Sequence, residues 1–142
     1  MSDVDPSIIE RSVEKTHVWL KELGEELGGE DRQYAYRALR AVLHALRDRL
    51  PVDVAAKLAA QLPTLIRGIY YEAWDPSKTP LPIHDVDAFL DRVAREGHMA
   101  GETEASLAVA AVARLLRRHV STGEIDEVLA VLPDGFRALI EA

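Results

Sequence analysis

No cysteine occurs in the 142 residues. Its absence removes disulfides, thiolate nucleophiles, cysteine-ligated zinc and iron–sulfur clusters together, so any chemistry must come from oxygen and imidazole groups. No apolar run approaches the ~18 residues of a membrane span. The opening Met1-Ser2-Asp3-Val4-Asp5-Pro6 has neither a basic nor an apolar leader region, which points to a cytoplasmic protein. Positive charge is also short, with 17 Lys+Arg against 24 Asp+Glu and a net charge of -7. That balance argues against a general nucleic-acid binder, whose affinity comes from many basic contacts releasing counterions. What is present is 48% apolar residues, and a chain of this length buries about 68–70% of its unfolded surface. One domain over 1–142 is therefore expected. Its charge is banded: residues 1–30 hold 3 basic and 8 acidic groups, 31–80 hold 8 and 5, and 81–142 hold 6 and 11.

Apolar spacing is helical almost throughout and nowhere alternates as a half-buried strand would, which predicts an all-α chain. Asp5-Pro6 reads as a cap and first turn of a helix with Ile9, Val13, Trp19, Leu20, Leu23 and Leu27 inward, stopped by Gly28-Gly29. Asp31 caps a second helix that buries Ala35, Leu39, Val42, Leu43, Leu46 and Leu50, turns Arg37, Arg40 and Arg47 outward, and ends at Pro51. A third is expected from about Asp53 to Leu62, broken by Pro63, and a fourth from Leu65 to Ala73. Three prolines between Asp75 and Pro82 then predict an extended connector.

Beyond the connector the pattern restarts. Without a gap, Trp19 falls over Phe89 and Tyr70 over Ile140, aligning Ala35/Ala105, Leu46/Leu116, Arg47/Arg117 and both Leu-Pro breaks, Leu62-Pro63 and Leu132-Pro133. Periodicity that also preserves punctuation marks a duplicated unit. Ser121-x-x-Glu124 has the spacing of a capping box at the corner where the first copy uses Pro51. The expected architecture is two tandem four-helix repeats, residues 1–76 and 83–142 joined by 77–82, packed as a pseudo-two-fold bundle of about eight helices.

The helix Ala38–Pro51, then Leu58-Ala59-Ala60-Gln61-Leu62-Pro63, then Ile69-Tyr70-Tyr71-Glu72-Ala73-Trp74-Asp75-Pro76 resembles the bacterial domain of unknown function 2267 family. The resemblance runs from about His17 to Ile140. It implies a duplicated helical domain from bacteria with no established activity, and it carries over no catalytic residue.

Candidate chemistry is thin. None of the five histidines has the spacing that puts two imidazoles on one helix face for a metal. His84-Asp85-Val86-Asp87 reads as a helix cap, His44 as a satisfied boundary residue, and His98 as a cation at a helix C-terminus. Gly-x-Ser-x-Gly, Gly-x-Gly-x-x-Gly and glycine-rich phosphate loops are absent, and adjacent carboxylates such as Glu25-Glu26 diverge around a helix. No catalytic residue, cofactor or metal is assigned. Two groups stand out as a candidate interaction surface. Arg37, Arg40 and Arg47, with Arg114, Arg117 and Arg118 in the second copy, form either a charge-balanced exterior or an anion or nucleic-acid groove. Tyr70, Tyr71 and Trp74 form either the seam between the copies or a partner-binding patch. The reading is a non-catalytic protein-interaction or scaffolding module, binding itself or another protein. An anion or nucleic-acid adaptor and a small enzyme with a His/carboxylate site between the repeats are the alternatives.

Overall fold

The computed structural model describes residues 7–142, which form eight α-helices and no strand. The cap expected at Asp5-Pro6 lies outside the described residues. Four helices come first: α1 (Ser7–Glu26), α2 (Arg32–Arg49), α3 (Val52–Ala60) and α4 (Thr64–Tyr71). A 3-10 turn at Pro76–Lys78, capped by Asp75, interrupts the connector that was expected to be extended throughout. Then follow α5 (Val86–Glu96), α6 (Glu102–His119), α7 (Thr122–Val131) and the five-residue α8 (Phe136–Ile140). None of these helices is long and apolar enough to cross a membrane.

The breaks fall where local chemistry puts them. Asp31 Oδ1 accepts the N–H groups of Gln33 and Tyr34, and Asp85 Oδ1 accepts that of Ala88, so both aspartates satisfy donors that the first turn leaves orphaned. Gly28 closes α1 in the left-handed region at φ 81°. There Gly29 N–H donates to Gly24 O and Gly28 N–H to Glu25 O, the paired bonds of a Schellman cap. α5 ends in the same way, Met99 N–H donating to Ala94 O and His98 N–H to Arg95 O, with His98 at φ 54°. The two left-handed residues are 70 positions apart in sequence. So are the starts and the ends of α2 and α6, at Arg32 and Glu102 and at Arg49 and His119.

α2 and α6 form the centre. α2 packs on α1, α4, α5 and α6, while α6 packs on α1, α2, α5 and α8; α3 lies across α7. A helix enclosed on so many sides buries more than one stripe. Every residue from Ala41 to Asp48 is accordingly buried, as are Ala108 to Ala113, Leu115 and Leu116, apart from an intermediate Arg114 between them. This overturns the outward placement of Arg47, which is 4% exposed. Alanine-rich faces let the neighbours approach on every side, so α2 is not a surface helix with one polar flank.

α1 departs from its pattern in the other direction. Its core contribution starts at Trp19, with Leu23 and Gly24, whereas Ile9 and Val13, expected inward, are 66% and 41% exposed. The reason lies in length. α1 runs 20 residues against the 11 of α5, and its first turns face the α3–α4 corner across an open groove that Ile9 and Val13 do not line.

Candidate interaction surface and the polar seam

The six candidate arginines reach helix ends and carboxylates of their own molecule, Arg117 and Arg118 while staying exposed. Arg47 donates through Nη1 to Tyr70 O and Glu72 O, both at 2.6 Å, and through Nε to Asp48 Oδ1 at 2.9 Å. It thus covers the open carbonyls at the end of α4, which is the negative pole of that helix. Arg117 does the same for α8, donating to Ile140 O at 2.9 Å. Arg40 pairs with Glu72 at 3.2 Å and Glu96 at 3.5 Å. Arg114 pairs with Glu26 at 2.7 Å, and Arg118 binds both Glu26 and Glu22. Arg37 donates to Gly97 O and lies over its neighbour Tyr34, 5.3 Å from the ring centroid. Four of the six therefore meet carboxylates, and their charge is spent inside the molecule.

The aromatic candidates divide. Tyr70 is fully buried, and its hydroxyl donates to Ala55 O at 2.8 Å. Burial pushes that phenol well above its ordinary range. It belongs to the core and not to a surface, because α2, α3 and α4 close over it. Tyr71 and Trp74 are half-buried, with ring centroids 5.1 Å apart. Only these two of the three remain within reach of a partner.

Of the polar groups that matter most for the seam, the sequence points to His44, but Asp48, Glu22 and His119 were not singled out. His44, 2% exposed, has Nδ1 2.6 Å from Glu96 Oε1, and its Nε2 donates to Ile69 O at 2.7 Å. Both ring nitrogens are taken, as befits a satisfied boundary histidine. Asp48 takes Arg47 on one oxygen and Arg92 on the other, at 2.7 Å, while its own carbonyl accepts Leu81 N–H and anchors the connector. On the opposite side His119 Nε2 lies 2.7 Å from Glu22 Oε1, its ring stacked on Trp19. The bond from His119, with Arg118 beside it, holds the Glu22 carboxyl below its usual range; Arg114 and Arg118 do the same for Glu26. Tyr34 donates to Glu104, and burial with that carboxylate raises its phenol to about 12. The expected capping box is only half made. Ser121 Oγ accepts Glu124 N–H, but Ser121 N–H donates to Gln61 Oε1, leaving Glu124 Oε2 without a partner among the described residues.

A signal for these contacts did exist. Several of them have counterparts under the 70-residue register: Glu26–Arg114 mirrors Glu96–His44, and Arg47–Tyr70 O mirrors Arg117–Ile140 O. Glu22–Arg118 likewise mirrors Arg92–Asp48 with its charges exchanged. Exchanged charges and a histidine in place of an arginine hid the correspondence from a search for identities.

Among the described residues no three histidine or acidic side chains gather as a metal site. What does remain open is a groove of about 680 Å³ between the first turns of α1 and the α3–α4 corner, with His119 at one edge. Four of the exposed large apolar residues, Ile8, Ile9, Val13 and Val18, lie on that stretch of α1.

No match was found among curated proteins. Residues 16–139 match a family described as an uncharacterized conserved protein, DUF2267, and the match begins where α1 enters the bundle and ends within α8. With most of the chain covered and the Leu-Pro breaks inside the matched region, the protein belongs to the DUF2267 family.

Proposed function

We propose that the chain is a non-catalytic helical interaction or scaffolding module, built of two tandem four-helix repeats related by an approximate two-fold axis. The symmetry is supported by residues that meet their own mates, since only positions near such an axis can do so. Tyr34 bonds Glu104 and Lys57 bonds Glu127, each pair 70 apart. The helix contacts exchange consistently as well: α1 on α6 answers α5 on α2, and α4 on α2 answers α8 on α6.

The interaction reading rests on one observation. Polar side chains in the seam are engaged with one another, whereas the first twelve residues of α1 carry exposed Ile8, Ile9, Val13 and Val18, the first and last beside an open groove and the other two outside it. Clustered exposed apolar residues mark association surfaces, and singly scattered ones do not. The test is recovery of the chain from its native cell with its bound proteins, followed by reconstitution with each purified partner. The reading expects a partner, or a second copy, whose binding is lost in Ile9→Asp/Val13→Asp while the melting temperature is kept. Salt-sensitive retention on heparin with no protein partner would favour the anion or nucleic-acid adaptor instead. For an enzyme between the repeats, two His–carboxylate pairs exist, but His44 is sealed inside and His119 already spends Nε2 on Glu22.

A further inference from the structure

His44 lies between two oxygens. It is 2% exposed, with Nδ1 2.6 Å from Glu96 Oε1 and Nε2 2.7 Å from Ile69 O. A carbonyl oxygen and an ionised carboxylate only accept, whereas a neutral imidazole has one N–H to give and one lone pair. A lone pair facing an oxygen at these distances is repulsive, so either both ring nitrogens bring a proton or Glu96 keeps its own. Two observations put the charge on the ring. Arg40 Nη1 stands 3.5 Å from the same Oε1, and a nearby guanidinium favours the carboxylate over the acid. The 70-residue register also sets His44 in the place of Arg114, whose Nε donates at 2.7 Å to Glu26, the mate of Glu96. Position 114 thus holds a cation that keeps its proton, and position 44 one that can lose it. Burial disfavours the imidazolium. The Glu96 charge and two helix ends offset that cost, since Ile69 lies in the last turn of α4 and Glu96 closes α5.

We propose that His44 is a doubly protonated clasp tying the ends of α4 and α5 to α2, and that loss of one proton as pH rises opens its α4 side. The proton leaves Nε2 for solvent. Nδ1 keeps its own because it faces a full negative charge, and Ile69 O is left facing a lone pair. The other charged groups hold their places around this step. On α2, Arg40 lies between Glu96 and Glu72, Arg37 donates to Gly97 O, and Arg47 binds Asp48, Tyr70 O and Glu72 O. From α5, Arg92 binds Asp48. α4 brings Tyr70, Tyr71 and Arg67, with the Tyr70 hydroxyl engaged by Ala55 O and Arg67 by the end of α3. Among the described residues no charged side chain of α1 or α6 pairs with His44, Glu96 or Arg40. Arg47 still holds Tyr70 O, so the opening is confined to the last turn of α4.

The isotope-labelled full chain would be taken through a rising pH series. Long-range proton–nitrogen correlation reads the His44 ring, and hydrogen exchange, corrected for its intrinsic pH dependence, reads the amides. Both ring nitrogens should carry a proton for as long as residues 69–72 stay protected. Loss of one should coincide with an at least tenfold loss of protection there, while residues 108–112 in α6 keep theirs. Glu96→Gln replaces the carboxylate by an amide that can also donate to Nδ1, so its His44 should lose the second proton at a lower pH than wild type. An unprotonated ring nitrogen in wild type while residues 69–72 remain protected would overturn the clasp. Equal titration in wild type and Glu96→Gln would overturn it too. So would loss of protection in α6 at the same pH as in α4, which would make the event unfolding of the whole chain.

Discussion

Gly28 and His98 occupy the same cap with different freedom to do so. Both lie in the left-handed region, where a residue with a Cβ is crowded by its own carbonyl and glycine is not. Nothing lies within 4 Å of a Cβ added at Gly28, so the cost of Gly28→Ala is conformational alone. It should destabilise the fold by about 1 kcal/mol, and His98→Gly should stabilise it by about as much. Paired urea titrations would measure both, and equal midpoints for His98→Gly and wild type would show that the imidazole compensates for its strain. Deeper in, Leu46 and Leu116 sit in the core on α2 and α6 as their spacing predicts. Truncating either to alanine should cost roughly 2–5 kcal/mol, read from the shift in urea midpoint at constant slope.

Helix α1 meets α6 through ionisable groups as well as through buried Trp19. Glu22 faces His119 and Arg118, and Glu26 faces Arg114 and Arg118, and both carboxyls titrate below their unfolded values. A carboxyl whose folded pKa is depressed contributes stability that is present above its unfolded pKa, about 4.3 for glutamate, and is lost as pH falls through the lower folded value. The attachment of α1 should therefore weaken below about pH 4, in step with those protonations. Trp19 stacks on His119 in this contact, so its emission and the amide protection of α1 should change in that window. Glu22→Gln/Glu26→Gln should abolish the pH dependence. Its persistence in the double variant would assign acid sensitivity to other carboxylates.

At the scale of the molecule, the proposed repeats would each complete the other. In the two-repeat reading α2 and α6 are each covered by an element from the opposite half, α5 over α2 and α1 over α6, so neither half encloses its own central helix. Residues 1–76 expressed alone should unfold with lower cooperativity than the full chain, or dimerise to cover α2. Calorimetry with sedimentation would decide, and a sharply melting monomeric half would mean two independent beads. The polar seam follows the same logic. Its ion pairs join the halves and set their register, while the apolar surface of α1 stays outside.

Local chemistry in the sequence was enough to determine the helical class, most of the breaks and the caps at Asp31, Gly28 and Asp85. Capping aspartates, Gly28, the Leu-Pro pairs and 3.6-residue spacing all act within a few residues of where they stand, so no tertiary contact is needed to read them. The 3-10 turn inside the connector and the half-made cap at Ser121 were not legible in that way. The burial of Arg47 and Tyr70 and the exposure of Ile9 and Val13 were decided only by assembly. Amphipathic spacing says which side of a helix is apolar, but it does not say how many neighbours surround it, four in the case of α2, or whether a neighbour covers a given residue near its end, as none covers Ile9 and Val13 in α1. The site shows the same division. Arginines on α2 and α6 are visible in sequence, whereas, Asp48 beside Arg47 apart, the carboxylates and helix ends that neutralise them come from residues 23 to 96 positions away, brought together only by tertiary packing.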